Sequence, residues 1–428
     1  MDVVSTAAPV GTVILGCMVL LLAIMIPAII VALQTQTQVI ILSATLPKVP
    51  EMEPQPSRVK VGPLVGLRRP ARAEISNGGV GAADKGSPWQ RDFALVPMTY
   101  SEKDMGLVMK IQIGNSNSIV VFDTGSSKVA VATTECAADN LCSAKDASYN
   151  PRESPTARPT FEHKTLHFAT LSIDAEIVRD AFGLAAVRPD IAERRHWVNP
   201  KIGRDEALVP VHESFPIYAA HKMQGTKSNV FGFMKSGDTY RKCIDAIGAA
   251  NRWILACKTV GNAWMCLGNP PPQGFIGKLV SKCIYAPMSR TMSHEGAYIV
   301  DVEEFHGGKG KDAPRHVVID TGTADSYFLN MGDIGLPKTN QVIGPLKWQY
   351  LPTLTIKLQG GPKIVLKPSR YTELSGLGGR ITNLHPSSNV IENVFATKAP
   401  ILLLGIAHIR GMTIDFDVEN NRVGFAQC

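Results

Sequence analysis

Hydrophobic and polar positions divide this chain into unlike stretches. The first is a nearly unbroken apolar run of 22 residues, Thr12 to Leu33, inside a longer interval between Asp2 and Lys48 that holds no Asp, Glu, Lys or Arg. About 20 apolar residues let a helix span a bilayer, and neither face of this run is polar as a surface helix requires. The pattern predicts a transmembrane helix over 12–33 behind a short tail, 1–11. A cleaved signal peptide carries a basic start and an apolar core of ~7–15 residues. Here the only charge before the run is Asp2, which favours an uncleaved signal anchor over a long signal peptide. From Gln34 to Asp92 the chain lacks a strong period and is rich in Pro, Gly and small residues, which predicts a linker or pro-region. Arg69-Pro70-Ala71-Arg72 within it has the spacing of a basic processing site and equally the composition of a solvated linker.

Further along, two apolar runs of strand length end the same way. Val-Val-Phe-Asp-Thr-Gly-Ser-Ser occupies Val120 to Ser127, and Val-Val-Ile-Asp-Thr-Gly-Thr occupies Val317 to Thr323, so the two aspartates, Asp123 and Asp320, lie 197 residues apart. An apolar strand delivers each carboxylate to a tight turn, where Gly125 and Gly322 permit close backbone approach. The hydroxyls of Thr124, Ser126, Thr321 and Thr323 are placed to hold the carboxylates by hydrogen bonds. If the two turns face each other, the carboxylates share one proton, because like charges ~3 Å apart cannot both ionise. One then serves as general base toward a water while the other, protonated, polarises a carbonyl. The alternative is a pair of Asx-type turns at strand ends.

Composition narrows the function classes. Of 428 residues 45% are hydrophobic and 19% charged, which excludes a disordered chain. The 44 Lys and Arg are interleaved with 37 Asp and Glu for a net +7, so no basic stripe marks a nucleic-acid binder. His163 and His167 are four apart, but no His-Glu-x-x-His pattern accompanies them, and no metal site is expected. The glycine-rich stretch Leu374 to Gly379 lacks the Lys of a phosphate loop.

From Phe93 to Cys428 the chain resembles the pepsin-like (family A1) aspartic endopeptidases. The landmarks, in order, are Ile111-Gln112-Ile113-Gly114 before the first turn, Cys136-x5-Cys142 with Tyr149-Asn150-Pro151, Phe182-Gly183-Leu184, Val230-Phe231-Gly232, the strands Tyr285-Ala286-Pro287 and Tyr298 to Val302, Leu403-Leu404-Gly405, and the closing segment Thr413 to Ala426. The resemblance implies an all-β, bilobal fold with lobes at 93–280 and 281–428 and the active site in the cleft between them. It implies peptide-bond hydrolysis by a water activated between Asp123 and Asp320, with a protein or peptide substrate, no cofactor, no metal, no nucleic acid and a monomeric state. It also implies a disulfide between Cys136 and Cys142 and a zymogen whose basic pro-region, Val59 to Leu64 with Arg68 and Arg69, covers an acidic cleft.

Two departures stand out. The family's flap, a hairpin carrying Tyr and Gly, should lie between Pro151 and Phe182, yet that stretch holds neither residue; Phe161 and Phe168 are the aromatic candidates for a substrate flap. The family's Trp after the first turn is replaced near Ala130. These changes keep open an alternative, a pepsin-fold binding or inhibitor protein without turnover. Beyond Cys17 there are seven cysteines. A two-residue turn at Gly261-Asn262 would set Cys257 opposite Cys266. Disulfides place the domain on the lumenal or extracellular side of a membrane, against the positive-inside preference of the basic residues after the helix.

Overall fold

The computed structural model describes residues 93–428 other than 143–148, 169–170, 188–205, 226–227, 249, 259–261, 293–295, 309–312, 332–334, 338–340, 345–346, 376–378, 387–397 and 428. The predicted membrane helix and the pro-region therefore lie outside the described residues. Among the described residues no helix is long and apolar enough to cross a membrane.

Ten strands make the first part: β1 (Phe93–Ser101), β2 (Gly106–Ile113), β3 (Ser116–Asp123), β4 (Val129–Ala132), β5 (Arg158–His167), β6 (Leu171–Val187), β7 (Glu206–Gly225), β8 (Val230–Gly232), β9 (Arg252–Cys257) and β10 (Asn262–Gly268). Twelve follow: β11 (Ile284–Pro287), β12 (Tyr298–His306), β13 (His316–Ile319), β14 (Ser326–Leu329), β15 (Leu354–Leu358), β16 (Lys363–Leu366), β17 (Thr372–Leu374), β18 (Arg380–Thr382), β19 (Leu384–Pro386), β20 (Ile401–Leu404), β21 (Met412–Asp417) and β22 (Arg422–Gln427). They build a 13-stranded sheet in the order β11-β22-β21-β9-β10-β1-β2-β3-β8-β4-β7-β6-β5, a seven-stranded sheet in the order β16-β15-β12-β13-β20-β14-β19, and the pair β17-β18. The architecture is all-β, as the resemblance implies.

One pattern occurs twice. β3 runs parallel to β8, which runs antiparallel to β4; β13 runs parallel to β20, which runs antiparallel to β14. β4 then pairs in parallel with β7, and β14 with β19. The apolar strands are buried on both faces, as the all-buried β4, β13 and β20 show, which is why they read as continuous rather than alternating hydrophobic runs.

The two halves are joined by pairing as well as by packing. The hairpin β21-β22, from the end of the chain, pairs with β9 of the first part, Ile414 opposite Leu255. On one face an aromatic cluster fills the space beneath the first turn. Trp253 stacks on Phe416 with centroids 4.0 Å apart, and Phe122 and Phe233 meet Trp253 edge-on at 5.5 and 5.3 Å. The buried indole N–H donates to Tyr298 Oη at 3.0 Å, and that hydroxyl donates to the Phe233 carbonyl at 3.1 Å. Both polar ends of these rings are thereby satisfied, as burial requires.

The β9-β10 register corrects one expectation. Cys257 lies opposite Ala263, and Cys266 opposite Ile254, so the two cysteines do not face each other. Ala263 and Cys257 belong to the main core, while Cys266, Ile254 and Trp264 belong to a separate cluster on the other face of the sheet. A register shifted by three residues would turn each strand's apolar set inside out. Burial on both faces therefore overrides the turn signal at Gly261-Asn262. Cys136 and Cys142 are disulfide-bonded, their Cα atoms 5.4 Å apart.

Candidate active site

Asp123 is the last residue of β3 and Asp320 directly follows β13. Each is therefore aimed by a strand buried on both sides. The backbone behind each is pinned to its parallel neighbour. In the first turn, Phe233 N–H donates to the Asp123 carbonyl at 2.7 Å and Met234 N–H to the Ser126 carbonyl at 2.9 Å. In the second, Asp320 N–H donates to the Leu404 carbonyl at 3.0 Å and Ile406 N–H to the Thr323 carbonyl at 2.9 Å. The hydrophobic-hydrophobic-Gly elements at Val230 to Gly232 and Leu403 to Gly405 thus pack directly behind the turns.

Across the interface the two threonines lock together. Thr124 N–H donates to Thr321 Oγ1 at 3.1 Å, and Thr321 N–H donates to Thr124 Oγ1 at 2.9 Å. Each hydroxyl in turn donates to a carbonyl of the opposite strand, Thr124 to Ile319 at 3.0 Å and Thr321 to Phe122 at 2.8 Å. Both threonines are fully buried, so all four bonds are shielded from competing water.

This lock brings the carboxylates together. A Cβ on Gly125 would lie 2.7 Å from Asp320 Oδ1, and one on Gly322 would overlap Asp123 Oδ1. Glycine is required at both positions because any side chain would occupy the space of the opposite carboxylate. Gly125 N–H donates to Asp123 Oδ1 at 2.7 Å and Gly322 N–H to Asp320 Oδ1 at 2.9 Å. Thr323 Oγ1 donates to Asp320 Oδ2 at 2.6 Å. Its counterpart differs: among the described residues Ser126 Oγ, close enough to Asp123 to favour its ionised form, meets no partner in full hydrogen-bond geometry. Asp123 and Asp320 are only 8% and 9% exposed. Burial, followed by the charge of Asp320, pushes the Asp123 carboxyl up to about 7, against the opposing pull of Ser126 and the Gly125 N–H. A carboxylic acid kept protonated beside a second carboxylate can polarise a carbonyl while its neighbour activates water.

Residues 107–190 match the family described as eukaryotic aspartyl protease. Pepsin B of Canis lupus familiaris is 25% identical over 350 residues, covering 74% of this chain and 80% of that protein. Cathepsin D of Mus musculus is 22% identical, covering 72% and 77%, and gastricsin of Cavia porcellus is 22% identical, covering 78% and 83%. The chain is similar to the eukaryotic aspartyl proteases. Its fold is the all-β, bilobal pepsin-like fold, and the likeness supports aspartic peptidase activity.

The aromatic flap candidates lie on or beside the β5-β6 hairpin, in the interval between Pro151 and Phe182 where the flap is expected. Its ladder runs from Arg158 opposite Arg179 to His167 opposite Ser172, interrupted only by a bulge between Pro159 and His163. Phe161 is in that bulge, with φ of 60° and 82% exposed. Phe168 lies beside the hairpin's turn and packs, half-buried, against the cluster that contains Ile173 and Met223.

Tyr218 was not visible as a site residue from the chain alone. It lies on β7 directly beside Ala130, the position of the missing Trp. Burial, then the charges of Glu162 and Asp238, raise its phenol pKa. The bulge that holds Glu162 is therefore close to Tyr218, and Asp238 starts the helix whose Thr239 hydroxyl donates to the Ser127 carbonyl at 3.3 Å. Only the pairing register reveals this group, since its members lie far apart in the chain.

Proposed function

We propose that this protein is an aspartic endopeptidase that hydrolyses peptide bonds in protein or peptide substrates through a water activated between Asp123 and Asp320. The observation that carries the proposal is the mutual approach of the two turns, each glycine set against the other's carboxylate. The protonated carboxyl polarises the scissile carbonyl, the ionised one takes a proton from water, and no covalent intermediate forms. Fixed geometry supplies the orientation on which such a step depends, and the Thr124-Thr321 lock supplies the fixed geometry. The dyad titrates as a pair.

In the fuller reading the chain is made as a zymogen held by a signal anchor at 12–33, and its catalytic unit acts as a monomer in the lumenal or extracellular space. The Cys136-Cys142 disulfide supports an oxidising compartment. N-terminal sequencing of the mature protein tests this part. A start near Ala73 or Phe93 supports processing, and an intact start supports a tethered enzyme.

A second reading, a binding or inhibitor protein without turnover, draws on the interval between Pro151 and Phe182, whose β5-β6 hairpin carries neither the Tyr nor the Gly of the family's flap. Cleavage of a denatured protein substrate at several acidic pH values separates the two. The enzyme reading expects fragments from the unmodified protein, their formation blocked by a statine-type mimic, and none from Asp123→Asn or Asp320→Asn. Equal cleavage by both variants removes it.

A further inference from the structure

Behind the second turn lies a buried histidine that the chemistry above does not use. His408 is 1% exposed, on the short helix Ile406–Ile409 that follows Gly405. Its Nδ1 is 2.8 Å from Ser326 Oγ. Ser326, itself fully buried, already accepts a bond from Gly405 N–H at 2.8 Å. The serine proton then has one place to go, His408 Nδ1. That assigns the neutral ring, protonated on Nε2, as the form that satisfies the serine.

The same segment reaches the catalytic turn. Ile406 N–H donates to the Thr323 carbonyl and Ala407 N–H to the Ala324 carbonyl, both at 2.9 Å. Residues 323–326 are therefore fastened to 405–408 at four points. At the front of the segment Thr323 Oγ1 donates to Asp320 Oδ2 at 2.6 Å. His408 is thus connected to the carboxylate through Ser326, the Gly405-Ile406 backbone and Thr323, by a chain of short contacts.

The surroundings oppose a charge on this ring. The ionisable groups facing it are Arg370 of the helix Pro368–Tyr371, Arg410 just past its own helix, and His385 of β19. The nearby carboxylate, Asp325, is engaged by His385 Nε2 at 2.9 Å. Among the described residues, His408 Nε2 and His385 Nδ1 are buried without a hydrogen-bond partner. Burial first, then Arg370, Arg410 and His385, lower the His408 pKa to about 3.

We propose that His408 is a positioning residue for Asp320, holding Thr323 in place through Ser326 and the Gly405-Ile406 backbone while its ring is uncharged, and that its protonation limits the acid tolerance of the second catalytic turn. The catalytic half of this proposal rests on the endopeptidase reading; the protonation half does not. A base whose pKa is lowered by folding is favoured unprotonated in the native state. Its contribution to stability is complete above the unfolded value of 6.5 and is lost progressively as pH falls toward 3.

The test uses His408→Asn, whose side-chain oxygen can accept from Ser326 but cannot be protonated, and Ser326→Ala. Urea midpoints of the unmodified protein and His408→Asn are compared at pH 7 and pH 4. The unmodified midpoint is expected to fall further, leaving His408→Asn the more stable at pH 4. At pH 6, Ser326→Ala is expected to lower kcat about 10-fold with KM within about 2-fold, the mark of a group felt mainly in the transition state. Parallel pH dependence of the two midpoints, or Ser326→Ala with undiminished kcat, overturns the proposal. Should the unmodified protein cleave nothing, the endopeptidase reading fails, and the midpoints alone decide the protonation step.

Discussion

Thr124 and Thr321, 197 residues apart in the chain, exchange N–H to hydroxyl hydrogen bonds with each other across the interface between the two lobes. Neither residue touches a reacting atom in the proposed chemistry, yet their exchange sets the distance between the carboxylates. Each threonine satisfies the backbone of the opposite turn, so neither turn is complete without the other.

Removing one hydroxyl should be felt in both lobes. Thr124→Ala or Thr321→Ala leaves a buried N–H and a buried carbonyl without partners, at a cost of about 1–3 kcal/mol for each stranded group. Thr→Ser at the same positions keeps the bonds and should cost much less. Urea denaturation of the four variants checks the order, and a double-alanine variant should cost more than either single, because each hydroxyl makes two bonds of its own that the other substitution leaves in place.

The pH dependence of stability offers a test of the dyad that requires no substrate. The Asp123 carboxyl is raised by burial and by Asp320 to about 7. An acid raised by folding contributes its stability at pH below its unfolded value, near 3.8, and loses it as pH climbs through the folded value. The native protein therefore pays to ionise this site near neutrality. Asp123→Asn should raise the urea midpoint at pH 7.5 relative to the unmodified protein, and the two midpoints should converge near pH 4. A variant that is less stable at pH 7.5 would mean that the carboxylates do not oppose each other as their placement requires.

The disulfide between Cys136 and Cys142 closes a short loop that starts with the helix Thr134–Ala138. By chain entropy a loop of this size is worth about 2 kcal/mol, a minor share of the stability of so large a core. Replacing both cysteines by serine should lower the urea midpoint modestly and leave catalysis within about 2-fold, because the two cysteines pack in a cluster with Ala132, Ala220 and Met223 that includes no residue of the two turns. Comparison of cleavage rates with and without reductant checks the same point in the unmodified protein.

How much of this molecule is legible in its chain follows from the range of the interactions. The two turns stand out because each packs apolar strand, carboxylate, hydroxyl and glycine into a few consecutive residues. The all-β architecture is legible from the order of short landmarks such as Phe182-Gly183-Leu184 and Leu403-Leu404-Gly405. What is not legible depends on register. The neighbourhood of Tyr218 and Ala130, the approach of Ser326 to His408, and the opposite faces of Cys257 and Cys266 are set by pairing between distant strands. A turn dipeptide such as Gly261-Asn262 is a local preference, and the burial of both sheet faces outweighs it.

Phe161 carries the last prediction. An aromatic residue at φ of 60° sits in a backbone region that costs an L-residue roughly 1–2 kcal/mol, and this one is not repaid by burial, being 82% exposed. The bulge is held open by its neighbours: Thr160 Oγ1 donates to the Ile177 carbonyl at 2.6 Å and accepts from Glu162 N–H at 3.3 Å. Strain kept at an exposed aromatic is a pointer to function, and the function to test for Phe161 in the proposed enzyme is the one expected of a flap residue, contact with substrate. Phe161→Gly should relieve the strain and raise the urea midpoint slightly, while kcat/KM for peptides with apolar side chains falls about 10-fold or more, the scale of a lost apolar contact. Phe161→Asn, which tolerates the same backbone region, should behave alike. A midpoint that rises with kcat/KM unchanged would confine Phe161 to a structural role and leave the cleft without a flap from this hairpin.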